Sequence, residues 1–192
     1  MYSCRDNAAK LFGSENPENI IFTLNCTTAL NTVIKGILKQ GDHAVISSLE
    51  HNAVVRPLET LKKNKIEYSV AECVPYDDEQ TIENFRKQFK SNTKLVICTH
   101  ASNVFGIKLP IERIGALCRL NGILFCVDAA QSAGTADINL SDSCIDFLCT
   151  AGHKGLYGPM GTGLLIINSE TTPDSLIQGG TGSDSANLNQ PE

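Results

Sequence analysis

The chain has 192 residues, and its 42% hydrophobic content is enough to build the core of a folded globular protein. Its formal charge of −5, from 16 basic and 21 acidic residues, excludes the cationic surface that nucleic acids and anionic membranes attract. No stretch approaches the roughly 18 apolar residues of a membrane span, and no signal-peptide pattern follows Met1. We therefore expect a cytoplasmic protein without nucleic-acid or membrane partners.

Eight cysteines are scattered along the chain, several of them inside apolar runs, and no CxxC pair occurs. This distribution predicts reduced thiols that pack mostly as small buried hydrophobic groups. We expect no metal site, because paired soft ligands at zinc spacing are missing.

Apolar residues recur at helical spacing over residues 28–39, which predicts an amphipathic helix with Thr27 or Thr28 as N-cap and Gly41 just past its end. Four buried strands are predicted near residues 44–47, 66–71, 95–99 and 123–128, and helical patterns lie between them at 53–61, 81–89 and 111–120. This alternation predicts an α/β fold, with a mostly parallel sheet and helices on both faces. Ligands of such sheets bind at the carboxyl ends of the strands.

The last third of the chain has a different pattern. Residues 145–154 and 161–168 predict two more strands that are separated by a glycine-rich turn. The final residues are polar and lack a core pattern, so we expect a loop there whose packing partner lies elsewhere.

A single lysine, Lys154, lies beside His153 in the glycine-rich segment 150–163, directly after an apolar run. A lysine held in a partly desolvated pocket is a good nucleophile towards an aldehyde, and this environment is what we expect for Lys154. The alternative is an ordinary turn with an exposed lysine.

The run ILFCVDAAQSAG places Asp128 at the end of a buried strand and Gln131 three residues later. An acid that emerges from so apolar a strand needs a compensating partner, and a protonated pyridine nitrogen is one such partner. Asp128 could equally cap the next helix or close a turn.

Three further segments follow the same logic. Thr27 and Thr28 open a helix, whose N-terminus attracts phosphate, although helix capping without a ligand explains threonines there equally well. His51 and Asn103 each follow a proposed strand; His51 could shuttle protons over an aromatic ring, and Asn103 could hold ring substituents or orient the aspartate. A lone histidine or asparagine is usually structural, so their case depends on lying at the same edge of the sheet.

Taken in order, the motifs TT, EH, SNxxG, VDAAQ and GHKGLYGPxGTG resemble those of the class V aminotransferases, a family of pyridoxal-phosphate (PLP) enzymes. Within that family the motifs are most similar to those of the cysteine desulfurases, and the resemblance spans nearly the whole chain. It implies a fold type I large domain over residues 1–192. It also implies that the chain is truncated, with the polar loop 170–192 leading towards an absent C-terminal small domain.

The resemblance also implies a role for each motif residue. Lys154 would form the Schiff base (aldimine) with the cofactor pyridoxal 5′-phosphate, and His51 would stack on the ring and act with Lys154 in catalysis. Asp128 would pair with the pyridine nitrogen, while Gln131 and Asn103 would contact the phenolic oxygen. The phosphate would be held by Thr27, Thr28, His153 and, across a homodimer interface, Thr181 of the neighbouring subunit.

Two departures from the family pattern stand out. Ala151 replaces a hydroxyl residue that contacts the phosphate in many relatives, so that contact is missing or replaced. The arginine that binds the substrate carboxylate and the cysteine that accepts sulfur belong to the small domain, so neither is assigned here.

The implied function is release of sulfur from L-cysteine to give L-alanine. Other class V activities, namely aminotransferase, selenocysteine lyase or epimerase, would share every one of these motifs. An inactive or regulatory fragment that dimerises with a full-length relative is a further alternative. A nicotinamide-dependent dehydrogenase would also suit an alternating α/β chain, but no GxGxxG follows the first strand.

Overall fold

A computed structural model describes residues 2–179 and confirms the α/β class, because one seven-stranded sheet carries helices on both faces. The helices are α1 (Tyr2–Phe12), α2 (Cys26–Ile37), α3 (Asn52–Leu61), α4 (Asp78–Gln88) and α5 (Ile111–Leu120). The strands are β1 (Ile20–Thr23), β2 (His43–Ser47), β3 (Glu67–Ala71), β4 (Thr93–Thr99), β5 (Leu124–Asp128), β6 (Phe147–Ala151) and β7 (Gly163–Ile167). Short 3₁₀ helices lie at Pro17–Asn19 and Lys62–Asn64.

The strand order is β1-β7-β6-β5-β4-β2-β3. The five strands β6, β5, β4, β2 and β3 are mutually parallel. Strand β7 is antiparallel to both of its neighbours, β6 and the edge strand β1. The chain runs from β2 outward to β3 and then returns to the other side of β2 as β4, so a topological switch point lies between β2 and β4. In open α/β sheets the crevice outside the carboxyl ends of the strands at such a point is the usual ligand site.

The central strands are apolar on both faces because helices cover both sides of the sheet. Helices α2 and α3 pack over one face, which includes Ile46, Ile97 and Cys149. Helices α1, α4 and α5 cover the other face, which includes Val96 and Phe125. The alternation along each strand decides which face a side chain joins, and it places Thr99 and Asp128 on the α2 side of the carboxyl edge.

Two elements were not predicted from the sequence, α1 and β1. The predicted N-cap of α2 was also wrong: Asn25 caps this helix, since its side chain accepts a hydrogen bond from Thr28 N at 2.8 Å. Asparagine is a stronger N-cap than threonine, so the helix begins at Cys26 and both threonines fall in its first turn. The helix ends at Ile37, and Gly41 instead serves the turn before β2 with φ +93°.

All eight cysteines are free, and six of them are buried, as the sequence predicted. Within residues 2–179 we find no helix that is both long and apolar enough to cross a membrane. The same residues contain no cluster of three or more His, Cys, Asp or Glu side chains arranged to hold a metal ion.

Candidate active site

A cavity of about 200 Å³ opens at the carboxyl edge of the sheet, where the start of α2 meets the loops after β2, β4, β5 and β6. Most of the residues singled out from the sequence line this one cavity, namely Thr27, His51, Asn103, Asp128, Gln131, His153 and Lys154. Thr28 does not line it, and Thr181 lies outside the described residues. Side chains from five separate segments therefore share one cavity.

The start of α2 forms one wall of the cavity. Asn25 Oδ1 accepts hydrogen bonds from both the amide and the hydroxyl of Thr28, which explains why Thr28 turns away from the cavity. The first amides of a helix have no intrahelical acceptor, and here they belong to Cys26 and Thr27, which both line the cavity. This wall can bind an anion through its amide hydrogens, the helix dipole and the Thr27 hydroxyl.

Asp128 lies in the floor of the cavity and is 4% exposed. Its Oδ1 accepts hydrogen bonds from Ala130 N at 2.8 Å and from Cys26 Sγ at 3.3 Å, so the carboxylate does close the turn after β5. Burial raises the pKa of Asp128, while these two donors and the positive charges of Lys154 and His51 oppose that rise. The carboxyl group thus lies in a dry floor, where a cationic ligand group would offset the cost of burying its negative charge.

The loop that carries Lys154 packs directly on the loop after Asp128. A Cβ on Gly134 would overlap the carbonyl oxygen of Gly155, and a Cβ on Gly155 would overlap the carbonyl oxygen of Ala133. Gly134 also has φ +80°, a conformation in which a side chain is strained. These glycines let the two backbones touch, and this contact brings Lys154 to the same cavity as Asp128.

Lys154 itself is exposed, as is His153 beside it. The expectation that Lys154 would be partly desolvated was therefore wrong for the described residues. The reason is geometric: the turn over residues 152–156 carries the lysine at the open edge of the sheet, and nothing in residues 2–179 packs over it.

His51 has two roles at the site. As the N-cap of α3, its Nδ1 accepts a hydrogen bond from Ala53 N at 3.1 Å. In the neutral ring the proton therefore lies on Nε2, which leaves that nitrogen to meet a ligand in the cavity. Capping fixes the ring at the cavity wall.

Two residues at or near the floor have no role that the sequence predicts. The sequence predicts Cys26 only as a small hydrophobic group, yet its thiol donates a hydrogen bond to Asp128 Oδ1. Glu50 directly precedes His51 in the EH motif, and its carboxyl is buried between β2 and β4, behind the lining of the cavity. A glutamate directly after an apolar strand was a usable signal of the same kind that identified Asp128.

Fold and site together define a doubly wound α/β domain that gathers an amine, a buried carboxylate and a helix N-terminus at the edge of its sheet. The family model of the class V aminotransferases matches residues 1–190, and the chain belongs to this family.

Individual relatives agree with this assignment. The chain is 35% identical over 184 residues to the cysteine desulfurase IscS of Clostridium botulinum. The aligned region covers 92% of this chain and 45% of that protein. An apo cysteine desulfurase structure from Thermococcus onnurineus matches with a TM-score of 0.83 and 34% identity, over 93% of this chain and 46% of the other. A lysine mutant of C-DES with glycine covalently linked to its PLP cofactor matches with a TM-score of 0.80 and 27% identity, over 88% and 45% of the two chains. The chain thus spans about half the length of the relatives that it matches.

Proposed function

We propose that the cavity binds pyridoxal 5′-phosphate and that Lys154 is the amine that attacks its aldehyde. The proposal depends on one observation: Lys154 and the buried Asp128 line a single cavity, whose wall is the start of α2. Family membership and the PLP-linked C-DES structure support the same cofactor.

The donor set suits the cofactor at both ends. Asp128 offers a buried carboxylate to the ring nitrogen, and the amides of Cys26 and Thr27 offer an anion site to the phosphate. When bound, PLP supplies an electron sink for breaking bonds at the alpha carbon of an amino acid. Asp128 would keep the ring nitrogen protonated, which that electron sink requires.

The remaining side chains would orient the ring and the substrate. His51 would stack on the ring and hold a proton at Nε2, while Asn103 and Gln131 would donate amide hydrogens to the phenolic oxygen. His153 would contact the phosphate beside Thr27, with Thr28 positioned only through the helix cap. Lys154 Nζ, besides binding the cofactor, would take up and return the proton of the substrate alpha carbon.

We further propose a cysteine desulfurase-like activity, in which L-cysteine is the substrate and L-alanine the product, because IscS and the Thermococcus structure carry that name. Residues 1–192 would be the PLP-binding large domain, and residues 170–192 would lead towards a small domain. An aminotransferase, selenocysteine lyase or epimerase activity would use the same cavity.

A homodimer in which Thr181 reaches the phosphate of the neighbouring subunit is part of the proposal. It is supported by large apolar side chains that are exposed on loops at the carboxyl edge, namely Leu24, Val104, Phe105, Tyr157 and Met160. A neighbouring subunit would cover such a surface. Light scattering of the chain, with Phe105→Ser as the disrupting variant, tests this point. A cytoplasmic location also remains part of the proposal, because free thiols are typical of that compartment.

The cofactor assignment is tested by adding PLP, recording the visible absorption, reducing with borohydride and mapping the modified lysine by mass spectrometry. We expect a visible band and a single modified residue, Lys154. Lys154→Ala should abolish both, whereas Lys108→Ala, which removes another exposed lysine at the same edge, should abolish neither. A colourless protein, or modification spread over surface lysines, would refute PLP binding at this site.

Turnover is tested separately, by assaying sulfide and alanine from L-cysteine with PLP and a thiol reductant present, because the reductant supplies the two electrons that convert the released sulfur to sulfide. Release of both products supports the desulfurase assignment. PLP binding without either product, but with pyruvate-dependent transamination or with selenide release from selenocysteine, assigns one of the other class V activities instead.

A further inference from the structure

The carboxyl group of Glu50 joins two strands at the switch point of the sheet. Its Oε1 accepts a hydrogen bond from the hydroxyl of Ser47, the last residue of β2, and another from Thr99 N, at the end of β4, at 2.6 Å. Its Oε2 is buried and has no hydrogen-bond partner in the described part of the chain. Glu50 therefore ties β2 to β4 at the place where α/β sheets hold their ligands.

Glu50 is linked to the floor of the cavity through β4. Thr99 pairs with Asp128 in the parallel register of β4 and β5, and it also lines the cavity. The next amide, His100 N, donates to the backbone oxygen of Asp128 at 2.9 Å. A shift of the β4 end would move the backbone of Asp128, so Glu50 holds the strand that positions this carboxylate.

Two acidic side chains thus lie in one poorly solvated region. Burial raises the pKa of Glu50 to about 8, the hydrogen bonds from Ser47 and Thr99 oppose that rise, and the negative charge of Asp128 adds to it. The other titratable groups that Glu50 influences electrostatically are thiols, Cys73 after β3 and Cys98 on β4. Near neutral pH Glu50 therefore favours its neutral form, because burial and the nearby carboxylate of Asp128 both disfavour a charge on Glu50.

The use of an acid at this position costs stability. A glutamine could accept the bonds from Thr99 N and Ser47 without any titration, at the cost of an unpaired amide nitrogen in the place of Oε2, whereas Glu50 must take up a proton whenever the chain folds near neutral pH. Features that lower stability at the edge of a binding site are commonly retained for function.

We propose that Glu50 is a positioning residue of the candidate cofactor site: it braces the end of β4 against Asp128, from within the poorly solvated region that the two carboxyl groups share. The inference deepens the proposed function and rests on it for the identity of the ligand. Its electrostatic part is testable without any cofactor.

The first test measures thermal unfolding of the cofactor-free chain between pH 5 and 9. The unfolded chain ionises Glu50 near its ordinary pKa of 4.5, whereas the folded chain keeps the proton up to about 8. The folded pKa is raised, so Glu50 lowers stability progressively as pH rises from 4.5 to 8, and the loss is constant above that. Glu50→Gln should remove this loss and melt roughly 5 °C higher than wild type by pH 8, with a smaller gap at pH 5.

Two further variants separate this mechanism from a merely structural role. Glu72→Gln removes an exposed carboxyl just after β3 and should follow the wild-type curve. Asp128→Asn removes the neighbouring charge and should therefore lower the pKa of Glu50. The loss of stability that Glu50 causes should then be complete at a pH below 8. In the Glu50→Gln background this loss is already absent, so any remaining effect of Asp128→Asn measures the contribution that does not depend on Glu50. Parallel wild-type and Glu50→Gln curves would overturn the proposal.

The second test measures PLP affinity. Glu50→Ala leaves Thr99 N without its acceptor and should weaken PLP binding about tenfold. Glu50→Gln keeps an acceptor and should retain most of the wild-type affinity. Failure of wild type to bind PLP would refute the proposed function, while the pH curves would still decide the role of Glu50. Equal PLP affinity of Glu50→Ala and wild type would refute the bracing role even if PLP binds. Should Glu50→Ala not fold, the Glu50→Gln and Asp128→Asn curves give the decision.

Discussion

Two fully buried histidines lie at opposite edges of the sheet and differ in how their rings are satisfied. His43, the first residue of β2, has both ring nitrogens in hydrogen bonds, Nδ1 with Thr93 Oγ1 at 2.9 Å and Nε2 with Ser69 Oγ at 3.0 Å. His100, directly after β4 at the carboxyl edge, has neither ring nitrogen paired with any group in residues 2–179.

The difference extends beyond these two rings. Among the described residues five buried side-chain atoms lack a partner: both ring nitrogens of His100, Glu50 Oε2 and Ser132 Oγ belong to the carboxyl edge, and the fifth, Arg5 Nε, lies on α1. Buried polar groups are normally paired, so an accumulation of unpaired ones identifies the part of the molecule where stability has been given up. The pairing at His43 favours stability at the amino edge, whereas the unpaired groups at the carboxyl edge are consistent with the ligand site proposed there.

The largest expected effect comes from removing the charge at the floor of the site. Asp128→Asn keeps an oxygen that can accept from Ala130 N but loses the negative charge, so PLP affinity should fall about 100-fold. The free energy of unfolding should not fall, because burial raises the pKa of Asp128 and its charge is costly in the folded chain. PLP titration and urea denaturation measure the two quantities.

Asp146→Asn is the matched control at the amino edge, where Asp146 Oδ2 accepts from Phe125 N at 2.7 Å. It makes the same chemical change just before β6 and should leave PLP affinity unaltered. Equal losses of affinity in the two variants would mean that the edges do not differ in the way proposed.

A smaller effect is expected from separating the two site loops. Gly134→Ala should weaken PLP binding about tenfold, because the new Cβ would push the Lys154 loop away from Asp128. Gly161→Ala is the control, since Gly161 has the same φ of +80° but nothing near its Cβ position. Both variants should lose about 1 kcal/mol from backbone strain, and only Gly134→Ala should lose affinity. Equal affinities would show that this close approach does not position Lys154.

The sequence predicted the strands that matter for the site, because β2, β4 and β5 are continuous apolar runs and their carboxyl ends must share an edge. It missed β1, in which only Ile20 is buried, and α1, whose few buried residues include Ala8 and Phe12. Neither segment has a pattern that can be recognised without the core against which it packs.

The chemistry of the site was predictable only in part. Lys154 and Asp128 were brought to one cavity as the topology required, but the exposure of Lys154 depends on what covers the loop, which local sequence does not encode. The contacts of Cys26 and Glu50 depend on strand register and on the direction in which α2 starts. Those features arise from packing between distant segments and have no signature in the nearby residues.

The two histidines provide a direct stability test. His43→Leu removes a ring that satisfies two hydroxyls and should lower the free energy of unfolding at pH 7 by about 1–3 kcal/mol. His100→Leu removes a ring without partners and should change it by less than about 1 kcal/mol, since the two side chains are similar in volume. Urea denaturation of both variants measures the difference, and similar losses would remove the contrast between the edges.

At acid pH the wild-type chain should become less stable than the His100→Leu variant. Burial, with a contribution from the charge of Lys108, lowers the pKa of His100 to about 4, so the folded chain keeps this ring neutral while the unfolded chain protonates near 6.5. Wild type should therefore lose about 2–3 kcal/mol as pH falls from 6.5 to 4, and His100→Leu should lack this loss. A wild-type curve that parallels His100→Leu through this window would contradict the assignment.

The smallest effect should come from the thiol beneath the site. Burial raises the pKa of Cys26 well above its ordinary value, and Asp128 raises it further, so the thiol stays protonated and donates to Asp128 Oδ1. Cys26→Ala removes one weak donor from the carboxylate and should weaken PLP binding about threefold, whereas Cys26→Ser, which keeps a donor, should bind more tightly than Cys26→Ala. Cys118→Ala removes a buried thiol from the opposite face of the sheet and controls for lost volume. If Cys26→Ala and Cys118→Ala bind PLP equally well, Cys26 only fills space, and the floor of the site depends on Asp128 and the turn at Ala130 alone.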